Sequence, residues 1–181
     1  MLFADIRGST PLAESMTNTE FKDLIDRFYS ETTHVLAHSY AVIDKLVGDE
    51  VSGYYIPGFV GKNYALKSIE AAQEMLRVTG HLDLQGPWAP IGIGINTGKA
   101  YFGAVKSRDG LVDLTALGDS VNTASRLASK AAAGEIVMSK NTVQKAGIDT
   151  EHLEARTLEL KGKRAPMDVW VMQISQVPNI Q

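Results

Sequence analysis

The chain has 181 residues, 44% of them apolar and 22% charged, with a formal net charge of −3 and no cysteine. That length suffices for one domain with a sizeable core; the acidic balance argues against broad nucleic-acid binding, and the missing thiols exclude a disulfide framework or thiolate metal site. No apolar run approaches the ~20 residues that span a bilayer, so a cytoplasmic domain without membrane contact of its own is expected, and the abrupt start at Met1-Leu2-Phe3 suggests a piece of a longer protein.

Residues 2–5 read as a short buried strand ending at Asp5, followed at once by Arg7-Gly8-Ser9-Thr10. Small residues there offer backbone N–H groups at a helix start, a phosphate cradle formed by Gly8, Ser9 and Thr10. Thr17-Asn18-Thr19-Glu20 has the capping-box pattern, and Phe21, Leu24, Ile25, Phe28, Tyr29, Val35 and Leu36 follow at helical spacing. Tyr40 to Leu46 and Val51 to Ile56 read as two strands around a tight turn at Val47-Gly48-Asp49-Glu50. A second helix is predicted over residues 64–78.

Ile91, Ile93 and Ile95 alternate with Gly92, Gly94 and Asn96, and Thr97-Gly98 is read as turning the chain back into Ala100, Phe102 and Ala104 as a hairpin. Glycines on one face of a strand allow a backbone or a ligand close approach. Residues 111–117 read as another extended run. A helix then opens at Gly118-Asp119-Ser120, with Asp119 as its cap, and runs to about Ala132. A strand at 135–138, a short helix at 140–146 and a closing strand pair, 157–161 with 169–174, complete the pattern. The order predicts an α+β fold with a ferredoxin-like core, a mostly antiparallel sheet, helices on one face and extra C-terminal strands.

Two features point to chemistry. Read alone, Asp5 is a helix cap and Asp49 a turn residue. If the first strand lies beside the hairpin, the two carboxylates meet, and a cation or proton must offset their repulsion. Hard oxygen ligands of this kind suit Mg²⁺ or Mn²⁺ with substrate phosphates completing the shell. Asn122 and Arg126, four apart, share one helix face, while Val121, Ala124 and Ala128 lie on another and can pack. An amide can hold a ribose oxygen, and a guanidinium fork suits phosphate oxygens.

"LFADIRGST", "DKLVGDEV", "IGINTGKAYFGAV", "LTALGDSVNTASRLAS" and "LELKGK" together resemble the catalytic domain of class III nucleotidyl cyclases, in that family's order and over essentially the whole chain. The resemblance implies that Asp5, Asp49 and the backbone carbonyl of Ile6 hold two Mg²⁺ or Mn²⁺ ions. It implies that Asn122 acts on the ribose and Arg126 on the α-phosphate, that Lys45 reads the base, and that Lys161 holds the terminal phosphates. Lys106 or Arg108 is a further possible phosphate contact. Thr115 stands where the family usually has an aspartate, as in a subgroup of bacterial adenylate cyclases related to the bicarbonate-responsive soluble type.

The implied partner is a second copy of the chain. In such a homodimer the metal aspartates come from one subunit, and Lys45, Thr115, Asn122 and Arg126 come from the other. The implied substrate is ATP: Lys45 can only donate, which suits adenine N1, whereas the Thr115 hydroxyl can donate or accept and leaves guanine open. Three alternatives stand beside this reading: guanylate cyclase activity, a diguanylate cyclase or palm-type polymerase, and a catalytically degenerate nucleotide-binding and dimerisation module.

Overall fold

The computed structural model describes residues 1–106, 110, 112–163 and 165–174. The elements run β1 (Leu2–Ile6), α1 (Ser9–Ser15), α2 (Asn18–His38), β2 (Val42–Val47), β3 (Glu50–Tyr54), α3 (Pro57–Val60), α4 (Tyr64–Val78), β4 (Ile91–Ile95), β5 (Tyr101–Lys106), β6 (Val112–Leu117), α5 (Asp119–Lys130), β7 (Glu135–Ser139), α6 (Lys140–Ala146), β8 (Glu154–Leu158) and β9 (Met167–Gln173). Seven strands form one sheet in the order β2-β3-β1-β4-β7-β9-β8, and β5 and β6 form a separate two-stranded arm. Every pairing in the large sheet is antiparallel except β4 with β7. The expected α+β class and mostly antiparallel sheet are therefore observed.

Local chemistry explains the helix starts. The Thr17 hydroxyl accepts from the Glu20 N–H while the Glu20 carboxylate accepts from the Thr17 N–H, so the capping box is complete and α2 begins at Asn18. Ser139 caps α6 in the same way through the Thr142 N–H. Gly8 lies in the left-handed region at φ 69°, which lets the chain turn from β1 into α1 within two residues.

Period-two alternation on β1 divides the core. Leu2, Ala4 and Ile6 enter the main cluster with Phe28 and Leu36 of α2 and Met75 and Leu76 of α4. Phe3 points the other way, to a second cluster with Tyr54, Val121, Ala124 and Ala128. Helices thus cover both faces, a correction to the one-face expectation: α2 and α4 lie on one side and α5 on the other. The bare face of β4 explains why. A Cβ at Gly94 would lie 2.1 Å from the Ala128 nitrogen, and one at Gly92 would lie 2.7 Å from the Ala131 oxygen. The close approach anticipated for these glycines is made by a helix backbone.

The hairpin expected between residues 91 and 104 does not form. Both edges of β4 are taken, by β1 and by β7, so β5 leaves the sheet and pairs with β6 instead. Asp119 is not a cap. Gly118 occupies that position without a side-chain bond, and the Asp119 carboxylate instead accepts an ion pair from Lys163.

Candidate active site

β1 lies between β3 and β4, with Asp5 opposite Glu50 and Gly92. The Ile6 N–H donates to the Asp49 carbonyl at 3.1 Å, fastening the β2–β3 turn to the end of β1. The Tyr29 hydroxyl of α2 props the same turn by donating to the Gly48 carbonyl at 2.7 Å. These bonds bring the Asp5 and Asp49 carboxyls close enough to interact.

The cost is visible in protonation. Burial pushes the Asp5 carboxyl up to about 6 from 3.8; Arg7 pulls it down, and Asp49 adds to the rise. Glu50 is also raised, chiefly by burial and then by Asp5. Arg7 forms an ion pair with Asp5, and its guanidinium also donates to the Ser129 carbonyl of α5 at 3.4 Å. One partly exposed guanidinium does not offset this acidic corner. Among the described residues no three His, Cys, Asp or Glu side chains form a metal cage. A carboxylate pair with backbone carbonyls nearby still fits Mg²⁺ or Mn²⁺, which bind through one or two carboxylates, waters and substrate phosphates.

A second cluster forms where β2 meets the arm. Lys45 makes an ion pair with Asp113, which keeps the ammonium protonated to a higher pH than usual. Asp113 is two residues before Thr115 on β6, so both lie on one face. Thr115 is buried, at 7% exposure. It lies beside Tyr54, whose hydroxyl donates to Asp44 Oδ2 at 2.6 Å. A register shift on β2 between Ile43 and Leu46 sets Asp44 and Lys45 opposite a single step of β3, so the two adjacent residues serve different partners. Asp44, Tyr54 and Asp113 were not singled out from the sequence. Asp113 carried a signal, an acid two positions from Thr115; the other two carried none.

The third cluster is at α5. Asn122 is exposed and Arg126 is half-buried on the same helix. The Lys161-Gly162-Lys163 loop between β8 and β9 closes over Arg126. Gly162 sits at φ 78°, a conformation that favours glycine, and a Cβ there would lie 3.3 Å from Arg126 Nη2. The Lys163–Asp119 ion pair ties this loop to the start of α5. Lys161 lines a hollow of about 430 Å³ together with Lys130, Lys163 and Glu159, a lining with more cations than carboxylates. Gly8, Ser9 and Thr10 stand at the head of α1, where no side chain caps the first-turn amides. Lys106 ends β5, exposed, and Arg108 lies outside the described residues.

The structure therefore brings Asp5 to Asp49, Lys45 to the strand of Thr115, and the Lys161 loop to Arg126. Among the described residues no ion pair or side-chain hydrogen bond joins the Lys45–Asp113–Thr115 group to the Asp5–Asp49 group. No helix of the described residues is long and apolar enough to cross a membrane.

Residues 1–173 match the family described as the adenylate and guanylate cyclase catalytic domain. The chain is 28% identical over 178 residues to the terminal-differentiation specific adenylate cyclase of Dictyostelium discoideum, covering 94% of this chain and 8% of that protein. It is 30% identical over 176 residues to an adenylate cyclase of Mycobacterium tuberculosis, covering 95% of this chain and 38% of that protein. It thus spans less than two fifths of either relative. The crystal structure of the guanylyl cyclase Cya2 superposes with a TM-score of 0.82 at 27% identity, covering 94% of this chain and 88% of that one. That of the adenylyl cyclase CyaB from P. aeruginosa gives 0.79 at 29% identity, covering 94% and 90%.

Proposed function

Since the chain belongs to the adenylate and guanylate cyclase catalytic domain family, we propose that it converts ATP to 3′,5′-cyclic AMP and pyrophosphate at sites shared between two copies of itself. The observation that carries the reading is the meeting of Asp5 and Asp49 at the tip of β1, where two carboxylates are held together without a sufficient cation of their own. Asp5, Asp49 and the Ile6 carbonyl would hold two Mg²⁺ or Mn²⁺ ions, which when bound supply Lewis-acid stabilisation of the attacking and leaving oxygens.

The remaining roles belong to the chain. Lys45 and Thr115 bind the base, and Asn122 orients the ribose so that its 3′-hydroxyl oxygen approaches the α-phosphorus in line. As that bond forms, the 3′-hydroxyl proton leaves to water and the bond to the pyrophosphate oxygen breaks, while Arg126 meets the charge on the α-phosphate. Lys161 and the Gly8, Ser9 and Thr10 amides hold the departing pyrophosphate. The close packing of Gly162 on Arg126 supports a fixed guanidinium at this point.

A shared site is supported by the separation of the base cluster from the carboxylate pair within one chain. It is also supported by apolar side chains left uncovered on β2 and the arm, with Val47 60%, Val112 61% and Leu114 56% exposed. The test is complementation. Asp5→Ala and Arg126→Ala are each expected to lose activity on the order of 10²–10³-fold. Mixed under conditions of subunit exchange, they should regain activity, because one site of each heterodimer is intact. Mixtures as silent as their components would refute shared sites, and near-normal turnover by folded Arg126→Ala would refute its role.

Guanylate cyclase activity is the second reading, favoured by the similarity to Cya2, a guanylyl cyclase. Product identification with ATP and GTP supplied separately decides between the two.

A further inference from the structure

We infer that His34 and His38, one turn apart on the outer face of α2, form a two-imidazole site for a divalent transition-metal ion of the Zn²⁺ or Cu²⁺ kind. The site is separate from the Asp5–Asp49 pair and does not depend on the reaction proposed above.

The chain has four histidines, and two of them stand at positions i and i+4 of one helix. That spacing sets both side chains on one face, with Cβ atoms roughly 5–6 Å apart. It is the spacing at which a helix presents two imidazoles to a single zinc ion. Here the rings are already together: their centroids are 3.9 Å apart and their planes are tilted by 34°. Both residues are exposed, so an ion reaches them without opening the fold.

Hydrogen bonding fixes which nitrogen His38 offers. Its Nδ1 lies 2.9 Å from the His34 carbonyl oxygen. A carbonyl only accepts, so Nδ1 of the neutral ring carries the proton and Nε2 keeps its lone pair. A backbone carbonyl behind the second ring nitrogen is a common support for a metal-bound histidine, because it sets the tautomer and the direction of the ring. His81 is different: its Nε2 accepts from the Ile91 N–H at 3.1 Å, so that lone pair is taken.

Imidazole nitrogen suits Zn²⁺, Cu²⁺ and Ni²⁺, whereas Mg²⁺ takes oxygen ligands. The histidine pair and the carboxylate pair therefore sort ions by hardness. Among the described residues no third His, Cys, Asp or Glu joins the histidines, so water completes the shell. Val35, buried in the core, follows His34 where a hydrolytic site of this spacing has its glutamate. The site is thus one for binding, not for hydrolysis. Its consequence is mechanical. α2 ends at His38, and Tyr40 turns the chain toward β2 at φ 63°, a conformation uncommon outside glycine. An ion bridging His34 and His38 clasps the last turn of α2 ahead of that strained exit.

The experiment is Zn²⁺ titration calorimetry on the full chain without an affinity tag, with excess Mg²⁺ present to compete at the carboxylate pair. His34→Ala and His38→Ala are each expected to weaken Zn²⁺ binding about tenfold or more, since loss of even an outer partner of a ligating histidine has an effect of that size. Zn²⁺ should also raise the melting temperature of the wild type more than that of either variant. Equal affinity in the wild type and both variants would put the ion elsewhere and overturn the inference. A loss confined to one variant would overturn the shared site as well. Both side chains are exposed, so circular dichroism should show the variants folded. If either is not, electron paramagnetic resonance of Cu²⁺ on the wild type decides: coupling to two imidazole nitrogens supports the pair, and coupling to fewer overturns it.

Discussion

Two acidic corners of one sheet are built on opposite plans. At the start of β7, Glu135 is buried, receives a two-pronged bond from Arg156 at 2.6 and 2.9 Å, and also accepts from the Ala132 N–H at 2.9 Å; Arg156 is in turn shared with Glu154. Every charge there has its partner within the chain, and Arg156 holds the Glu135 carboxyl below its ordinary range. At the end of β1, Asp5 faces Asp49 and Glu50 with Arg7 as its cation, and the Asp5 carboxyl is pushed up. The first corner is complete without a ligand. The second is poised for one, because fixing like charges together is costly unless something outside the chain neutralises them. The contrast separates a part that stabilises the fold from a part that works.

The sharpest way to break this contrast is to neutralise each corner in turn. Asp5→Asn should lower cyclase activity by on the order of 10²-fold or more, yet leave thermal stability in a chelating buffer unchanged or raised. Addition of Mn²⁺ should raise the melting temperature of the wild type and not that of the variant, as expected when a ligand binds only the folded state. A variant that loses stability as well as activity would make Asp5 a structural residue.

Arg156→Met should do the reverse. It leaves a buried carboxylate without its ion pair, for about 2–3 kcal/mol of stability, or a fall of about 5–10 °C in melting temperature. Cyclase activity per folded molecule should be unaltered, and a changed activity would couple the two corners.

The smallest expected effect lies in pH. Asp5 has a raised carboxyl in the folded chain, so its contribution to stability is complete below its ordinary value of 3.8 and is lost as pH rises through about 6. Glu135 has a lowered one, so its contribution is present above its ordinary value of 4.5 and is lost as pH falls through the lowered value. Without divalent ions, the stability of Asp5→Asn relative to the wild type should therefore grow between about pH 4 and pH 7. A constant difference, measured by denaturant titration at several pH values, would show that Asp5 is not buried against like charge.

Much of this is legible in the sequence. The capping box placed the start of α2, the turn at Gly48-Asp49 placed the hairpin, and the pattern from Gly118 to Arg126 marked α5. All depend on chemistry within a few residues, which a linear text records. The misread segments depend on competition between distant ones. Residues 91–104 have the appearance of a hairpin, but β1 and β7 claim both edges of β4. Asp119 has the composition of a cap, but Lys163, from a loop over forty positions away, takes its carboxylate.

The sequence by itself determined most of the helices and strands, that Asp5 stands near the end of β1 and Asp49 in the β2–β3 turn, and that an amide and a guanidinium share one face of α5. Periodicity and turn chemistry suffice for that, being properties of neighbouring residues. The tertiary structure alone decided that α5 covers the second face of the sheet, that Gly162 packs on Arg126, and that Lys45 pairs with Asp113. These contacts join residues far apart in the chain, and only folding brings them within reach.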